Sequence, residues 1–460
     1  MAGGKAIPGI MPTPRFATRT LYAPAHFGNS YECLGDNEFR ALLTTWRDWG
    51  FNELAGWFDP ANCIDPWHED PYSEQLYDFS RAQRDMNVRR FQAAQSLGLP
   101  CVSVLTPNTV FQDQCRPDTN ATKGGRIFGP LACPSAAPGR EVILRNHENW
   151  FRTLAQGGVK LRAIAACPYD FGGCACEKCQ PWILTFAKLC HELHTIAERH
   201  HPGVEMRMVG WWWSAEEHEQ FADWADTNAP GWVKSITLHI PYSESDVSGV
   251  RLPKGCERQA FVHIGYADAA EPRDLYGHLG PVIAAERLER TLNALAQRGC
   301  SGWMAYSEGV FDDVNKAIVA GLSAGKVASA DEALQAYAQM QFGASAEDSA
   351  AWATWLRGWG HPYDCDTNAA QCELQTLKSA KPTWRLRQWE LKTELMRHHR
   401  AAAAETDSPA RTAARAAIDA VQETLRREVY ALGPQRFIFA RNFSPLVWQR
   451  ALPAETRKEA

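Results

Sequence analysis

Leu161-Arg-Ala-Ile-Ala-Ala-Cys167-Pro-Tyr169-Asp170-Phe-Gly-Gly-Cys174-Ala-Cys176-Glu-Lys-Cys179 is the stretch on which the fold turns. Its first six residues are a short apolar run and read as a buried strand. Trp182-Ile-Leu-Thr-Phe-Ala-Lys-Leu-Cys-His-Glu-Leu follows and reads as a helix. A carboxylate, Asp170, therefore falls where a strand gives way to a loop. Two glycines lend that loop backbone freedom, and the cysteines are able to fasten it. In an α/β barrel, catalytic groups stand at such strand ends.

The same strand–loop–helix unit recurs on both sides. Upstream strands are expected at Leu21–Phe27, Glu53–Asp59 and Cys101–Thr106, with helices at Asp36–Trp49, Phe79–Leu97 and Glu141–Gln156. Downstream strands are expected at Glu205–Trp213, Ile236–Ile240, Gln259–Ile264 and Gly302–Glu308. Helices are expected at Ala215–Ala225, at Val282–Arg298 and from Asp312. Eight strands alternating with helices over ~300 residues predict an α/β fold, a (β/α)8 TIM barrel. A doubly wound sheet would carry a Gly-rich phosphate loop after its first strand, and none is visible. The Gly/Pro-containing loop at 107–140 is long enough to suggest a functional role. Beyond residue 330 the strand signal ends and helical segments follow, with a break expected at Pro382. This gives a barrel over 19–328 and a C-terminal helical region over 329–460. The aromatic tail from Arg436 is expected to pack back on the protein.

Composition narrows the function. The 460 residues are 45% hydrophobic, enough for a large core, and the net charge of −5 argues against nucleic-acid or membrane-surface binding. No apolar run is long enough to span a membrane. The N-terminus lacks the apolar core of a signal peptide, which points to the cytoplasm, or to the periplasm for a chain whose signal has been cleaved. Fourteen cysteines scattered through a chain of this size read first as buried thiols. Cys174, Cys176 and Cys179 resemble part of a structural zinc clip, for which Cys167 is a fourth sulfur; a disulfide and free thiols stay open beside it. No other cofactor is expected.

The expected strand ends collect carboxylates, imidazoles and aromatic rings: His26, Asn29, Trp57, Asp59, Tyr169, Asp170, Trp211, Trp213, His239, Tyr242, His263, Tyr306 and Glu308. Gly-x-Ser-x-Gly and His-Glu-x-x-His are absent. Two carboxylates among aromatics suit glycoside hydrolysis, in which one protonates the leaving oxygen and the other attacks or activates water. Asp170 after strand four and Glu308 after strand eight are the expected catalytic pair, and the remaining residues are expected to hold the sugar. Asp59, before a proline, serves equally as a turn or helix cap. Asp312 and Asp313 are read as opening the last barrel helix. On an extended strand Trp211 and Trp213 share a face and Trp212 takes the other.

Ala25-His-Phe-Gly-Asn-Ser-Tyr31, Trp49-Gly-Phe-Asn52, Trp57-Phe-Asp59, Cys133-Pro-Ser135, the block Pro168–Trp182 and Tyr306-Ser-Glu-Gly-Val-Phe-Asp-Asp-Val-Asn-Lys316 together resemble a family of uncharacterised bacterial barrel proteins loosely grouped with glycoside hydrolases. The resemblance covers about residues 19–320 and implies a (β/α)8 barrel with a role in carbohydrate metabolism or polysaccharide degradation. More distantly, the layout is similar to β-hexosaminidases and α-glucuronidases. The adjacent Asp-Glu pair of the hexosaminidases is replaced here by Tyr169-Asp170-Phe171. The expected activity is exo-acting glycoside hydrolysis. The alternatives are a non-catalytic carbohydrate-binding barrel and a metal-dependent sugar isomerase or lyase. The expected partner is a carbohydrate, and a homodimer stays open.

Overall fold

Eight parallel strands close into a barrel in sequence order in the computed structural model. They are β1 Thr18–Tyr22, β2 Glu53–Gly56, β3 Cys101–Leu105, β4 Leu161–Ala166, β5 Glu205–Gly210, β6 Val233–His239, β7 Glu257–His263 and β8 Gly302–Tyr306. The structure describes residues 13–25, 31, 34–68, 74–125, 127, 129–168, 172–240, 249–265, 282–307, 312–361, 364–377, 383–404, 408–425 and 428. Closure rests on β1 pairing with both β2 and β8, with Tyr22 opposite Ala55 and Tyr306. Strands β4 and β8 stand across the ring from one another.

Among the described residues seven helices follow strands of the barrel: α1 Asp36–Trp49, α2 Glu74–Ser96, α3 Ala137–Gln156, α4 Trp182–His200, α5 Ala215–Asn228, α6 Ala285–Gln297 and α7 Asp313–Ser323. Their apolar stripes bury the outer faces of the strands. Helix α1 shows the pattern, with Phe39, Leu42, Leu43, Trp46 and Trp49 buried at helical spacing. It stops at Gly50, whose φ of 134° is open to glycine alone and whose hydrogen faces the backbone of α7; a Cβ there would meet the Ala320 carbonyl oxygen at 2.7 Å.

The strand period sorts side chains between the barrel interior and the helix layer. Interior series run Glu53–Ala55–Trp57, Arg207–Val209–Trp211, Gln259–Phe261–His263 and Met304–Tyr306. The apolar members, with Tyr22, Val102, Val104, Ala163 and Ala165, form a core cluster separate from the one beneath the helices. At the N-terminal end of the barrel the interior is polar. Arg207 makes two bonds to Glu53, at 2.7 and 3.1 Å, and Thr20 donates to Glu53 at 2.6 Å. All three residues are buried.

Helices α8 Ala330–Tyr337, α9 Ser349–Arg357, α10 Thr367–Thr376, α11 Trp384–Ala404 and α12 Pro409–Leu425 follow. Asp313, at the start of α7, ties them to the barrel. Trp46 of α1 and Tyr337 of α8 each donate to its carboxylate at 3.2 Å, and Arg385 of α11 pairs with it. Asp313 thus has a wider role than opening a helix. The break expected at Pro382 falls between α10 and α11. The tail from Arg436 lies outside the described residues.

Candidate active site

The top layer of the interior series forms a wall of rings at the C-terminal mouth. Trp211 packs on His239 with centroids 4.1 Å apart, on Phe261 at 5.1 Å and on His263 at 5.4 Å. His263 lies edge-on to Tyr306 at 5.9 Å, and Tyr306 continues to Tyr22 at 5.7 Å. The wall thus runs from β5 through β6, β7 and β8 to β1. Burial lowers His239 to about 4. Burial first, then the neighbouring His239 and Arg287, holds His263 well below the usual imidazole range. Both imidazoles are therefore neutral at neutral pH and are suited to exchanging hydrogen bonds with hydroxyl groups. The Trp211 Nε1 has no hydrogen-bond partner among the described residues.

The three consecutive tryptophans do not follow strand alternation. Strand β5 ends at Gly210, and Trp211 and Trp212 form a turn. Trp212 adopts a left-handed φ of 59°, which lays its indole parallel to that of Trp211, 6.1 Å away and 14° from coplanar. It is 41% exposed, an unusual state for so large an apolar ring. Trp213 leaves the mouth and packs among Phe186, His218 and Phe221 beneath the helices. Trp211 and Trp213 therefore do not share a face, because the turn removes the extended backbone on which that expectation depends. A reciprocal cap fixes the end of the turn: Ser214 accepts from the Glu217 N–H at 3.2 Å, and Glu217 accepts from the Ser214 N–H at 2.7 Å.

Of the other expected site residues, Trp57 lies in the interior cluster and borders an apolar recess with Phe58, Trp67 and Trp150. Asp59 is buried and accepts from the Ala61 N–H at 2.8 Å, capping a short 3-10 turn. His26, Asn29, Tyr169, Asp170, Tyr242 and Glu308 lie outside the described residues. Tyr22 and Phe261 belong to the wall and were missed in the sequence. Their signal was position: each occupies the interior parity of its strand.

The residues flanking Glu308 are described. Ser307, which precedes it, bonds to Tyr31 and donates to Asp312 at 3.0 Å, and Asp312 pairs with Lys316 one helical turn on. The Lys316 ammonium sits over the Trp46 ring, 4.8 Å from its centroid. All of these groups are buried. Burial raises the Asp312 carboxyl, and Lys316 opposes that rise. Asn315 accepts from the Ala284 N–H at 3.0 Å and donates to the Ile264 and Val282 carbonyls at 2.6 and 3.0 Å. The described residues Ser307, Asp312, Asn315 and Lys316 of this block thus form a buried polar frame beside the mouth.

A second group of reactive side chains stands at the loop after β4. Cys133, Cys174, Cys176 and Cys179 bring their sulfurs within 4.8 Å of one another. Three were expected together, but the fourth sulfur is Cys133 rather than Cys167. Cys167 continues the interior parity of β4 and packs against the barrel's inner cluster, so it points away from the others. Cys133 lies in the turn before α3, within the long loop over 107–136 that small bridges order at Thr109–Leu131 and Asn120–Ala132. Among the described residues this is the one cluster of His, Cys, Asp or Glu that is tight enough to share an ion.

Neither a protein-family model nor a curated protein sequence matches the chain. Solved structures do resemble it. A GH138 enzyme targeting pectin rhamnogalacturonan II aligns with a TM-score of 0.53 at 9% identity, over 95% of this chain and 62% of that one. A mutant of the Thermobaculum terrenum O-GlcNAc hydrolase aligns with a TM-score of 0.47 at 12% identity, over 96% of each chain. An AlfC α-L-fucosidase mutant aligns with a TM-score of 0.40 at 10% identity, over 67% of this chain and 97% of that one. The chain thus spans less than two thirds of the GH138 enzyme, and at 9% identity what it shares with that enzyme is the fold.

Proposed function

We propose that the protein is an exo-acting glycoside hydrolase working at the C-terminal mouth of the barrel. The observation that carries this reading is the ring wall of Trp211, His239, His263 and Tyr306, with the exposed indole of Trp212 at its rim. Flat aromatic faces suit the apolar faces of pyranose rings, and neutral imidazoles suit their hydroxyls. The chain supplies acids on both sides. Asp170 follows the described Pro168 by two residues, after β4, and Glu308 follows Ser307 directly, after β8. One carboxyl protonates the leaving glycosidic oxygen, and the other, ionised, draws a proton from water as it attacks the anomeric carbon. The opposition of β4 and β8 supports a wide separation, and with it inversion. Fold likeness to glycoside hydrolases is consistent with this reading.

A screen of aryl glycosides that includes acidic sugars identifies the substrate. Asp170→Asn and Glu308→Gln are then each expected to lower turnover ~100-fold or more with folding unchanged. Near-normal turnover in both variants overturns the assignment. Sugar binding by calorimetry with no product after long incubation would favour a binding protein instead.

A further inference from the structure

We infer that Cys133, Cys174, Cys176 and Cys179 form a structural zinc site that fastens the loop after β4 to the turn before α3. The four sulfurs lie within 4.8 Å of one another, close enough to share one ion. Zinc–thiolate bonds of about 2.3 Å give a tetrahedron with edges of about 3.8 Å. The Cys133 sulfur lies 3.8 Å from that of Cys176 and 3.7 Å from that of Cys179. All four cysteines are free, and those two separations are far beyond a sulfur–sulfur bond.

The scaffold around the sulfurs is ordered. Cys176 and Cys179 bracket a 3-10 turn, closed by the Cys179 N–H donating to the Cys176 carbonyl at 3.0 Å. Asn108, fully buried after β3, holds the two arms side by side. Its amide donates to the Ala132 carbonyl at 2.9 Å and the Gly173 carbonyl at 2.7 Å, and it accepts from the Gly173 N–H at 2.9 Å. Each of those residues immediately precedes a cysteine of the set. Gly173 has a φ of 117°, and a Cβ there would press on Ile127 at 2.7 Å. The Ser135 hydroxyl lies 3.0 Å from the Cys179 sulfur, placed to donate to a metal-bound thiolate and hold its orientation. Cys133, Cys174 and Cys179 are buried while Cys176 is partly exposed, which leaves a path for the ion to enter.

Binding exchanges up to four thiol protons for one Zn2+ and leaves a tetrathiolate complex with two net negative charges. Sulfur fills all four positions, so no position remains for a reacting water, and the role is structural. Asp170 lies upstream of Cys174 in the same loop, so the ion anchors the downstream end of the segment that carries it.

The test is elemental analysis of the full chain purified from zinc-supplemented medium without chelator. One zinc per chain is expected, lost in the Cys174→Ser/Cys179→Ser double variant and kept in Cys372→Ser, which changes an exposed cysteine outside the cluster. If the double variant does not fold, exchange of the native chain with cobalt decides. Intense thiolate-to-cobalt charge-transfer bands with tetrahedral ligand-field bands are expected. Zinc well below one per chain, stoichiometric iron in its place, or a disulfide within the set in peptide mapping would each overturn the assignment.

Discussion

Trp212 has a backbone conformation that costs energy and a side chain that stays partly exposed while stacking on Trp211. A left-handed conformation costs an L-residue roughly 1–2 kcal/mol, and Trp212 holds it at φ 59° while presenting its indole at 41% exposure. Strain of this kind collects where a side chain is aimed for use. Trp212→Gly separates the two terms. It is expected to leave stability within about 1 kcal/mol of the parent, because relief of the strained φ offsets part of the lost stacking on Trp211 and of glycine's entropic cost. It is expected to weaken sugar binding about tenfold, equivalent to about 1.4 kcal/mol, and to show this in KM more than in kcat. Unchanged sugar affinity in this variant would leave Trp212 without a part in recognition. The sequence marked the three tryptophans but not which of them projects. The turn that selects Trp212 begins at Gly210, inside a run that otherwise reads as continuous strand.

Strands carry the division of labour between the two ends of the barrel. The interior series of β2, β5 and β7 start with a polar residue at the N-terminal end, Glu53, Arg207 and Gln259, pass through apolar packing and finish with a ring at the mouth. The Glu53–Arg207 pair therefore belongs to stability, as expected of the N-terminal face of such barrels. Arg207→Met strands a buried carboxylate, at an expected cost of about 3–5 kcal/mol in urea denaturation. Glu53→Gln combined with Arg207→Met is expected to recover part of that loss, and kcat is expected to stay near that of the parent. A single variant as stable as the parent would show that the pair contributes nothing net. All eight strands were legible in the sequence because doubly buried parallel strands are apolar runs. Several strand ends were not: β1, β2, β5 and β8 stop at Tyr22, Gly56, Gly210 and Tyr306. The apolar residues that continue past them, such as Trp57, Phe58 and Trp211, serve the mouth and the loops rather than the ladder. Pairing across the barrel left no local trace, so Glu53–Arg207 and the joining of Cys133 to Cys174 were invisible. Each joins residues on separate strand–helix units, and no spacing rule links them.

Across the molecule, neutral histidines are built into the packing between strands and helices. His147 on α3 donates through Nδ1 to the Ile143 carbonyl at 2.8 Å, and His201 sits between α4 and β4 with Nε2 3.1 Å from the Phe151 carbonyl. Burial lowers His147, His201 and His218 to about 4, and lowers His399 on α11 to about 4 with help from His398. A base whose folded pKa is depressed binds fewer protons in the native state than in the unfolded state, so stability rises with pH across the interval between the two values. Here the stabilisation is complete above the unfolded value near 6.5 and is lost as pH falls toward 4. Fully buried His147 and His399 each account for about 3 kcal/mol once the interval is crossed, and two such losses rival the whole stability of a typical domain. Asp312 works the other way, since burial raises its carboxyl and protonation favours its folded environment. One carboxyl is outnumbered by these histidines. The melting temperature is therefore expected to fall steeply between pH 6.5 and pH 4, more steeply than in a His147→Gln variant. Scanning calorimetry across that range checks it, and a flat profile would mean that the histidines take up their protons without leaving the fold.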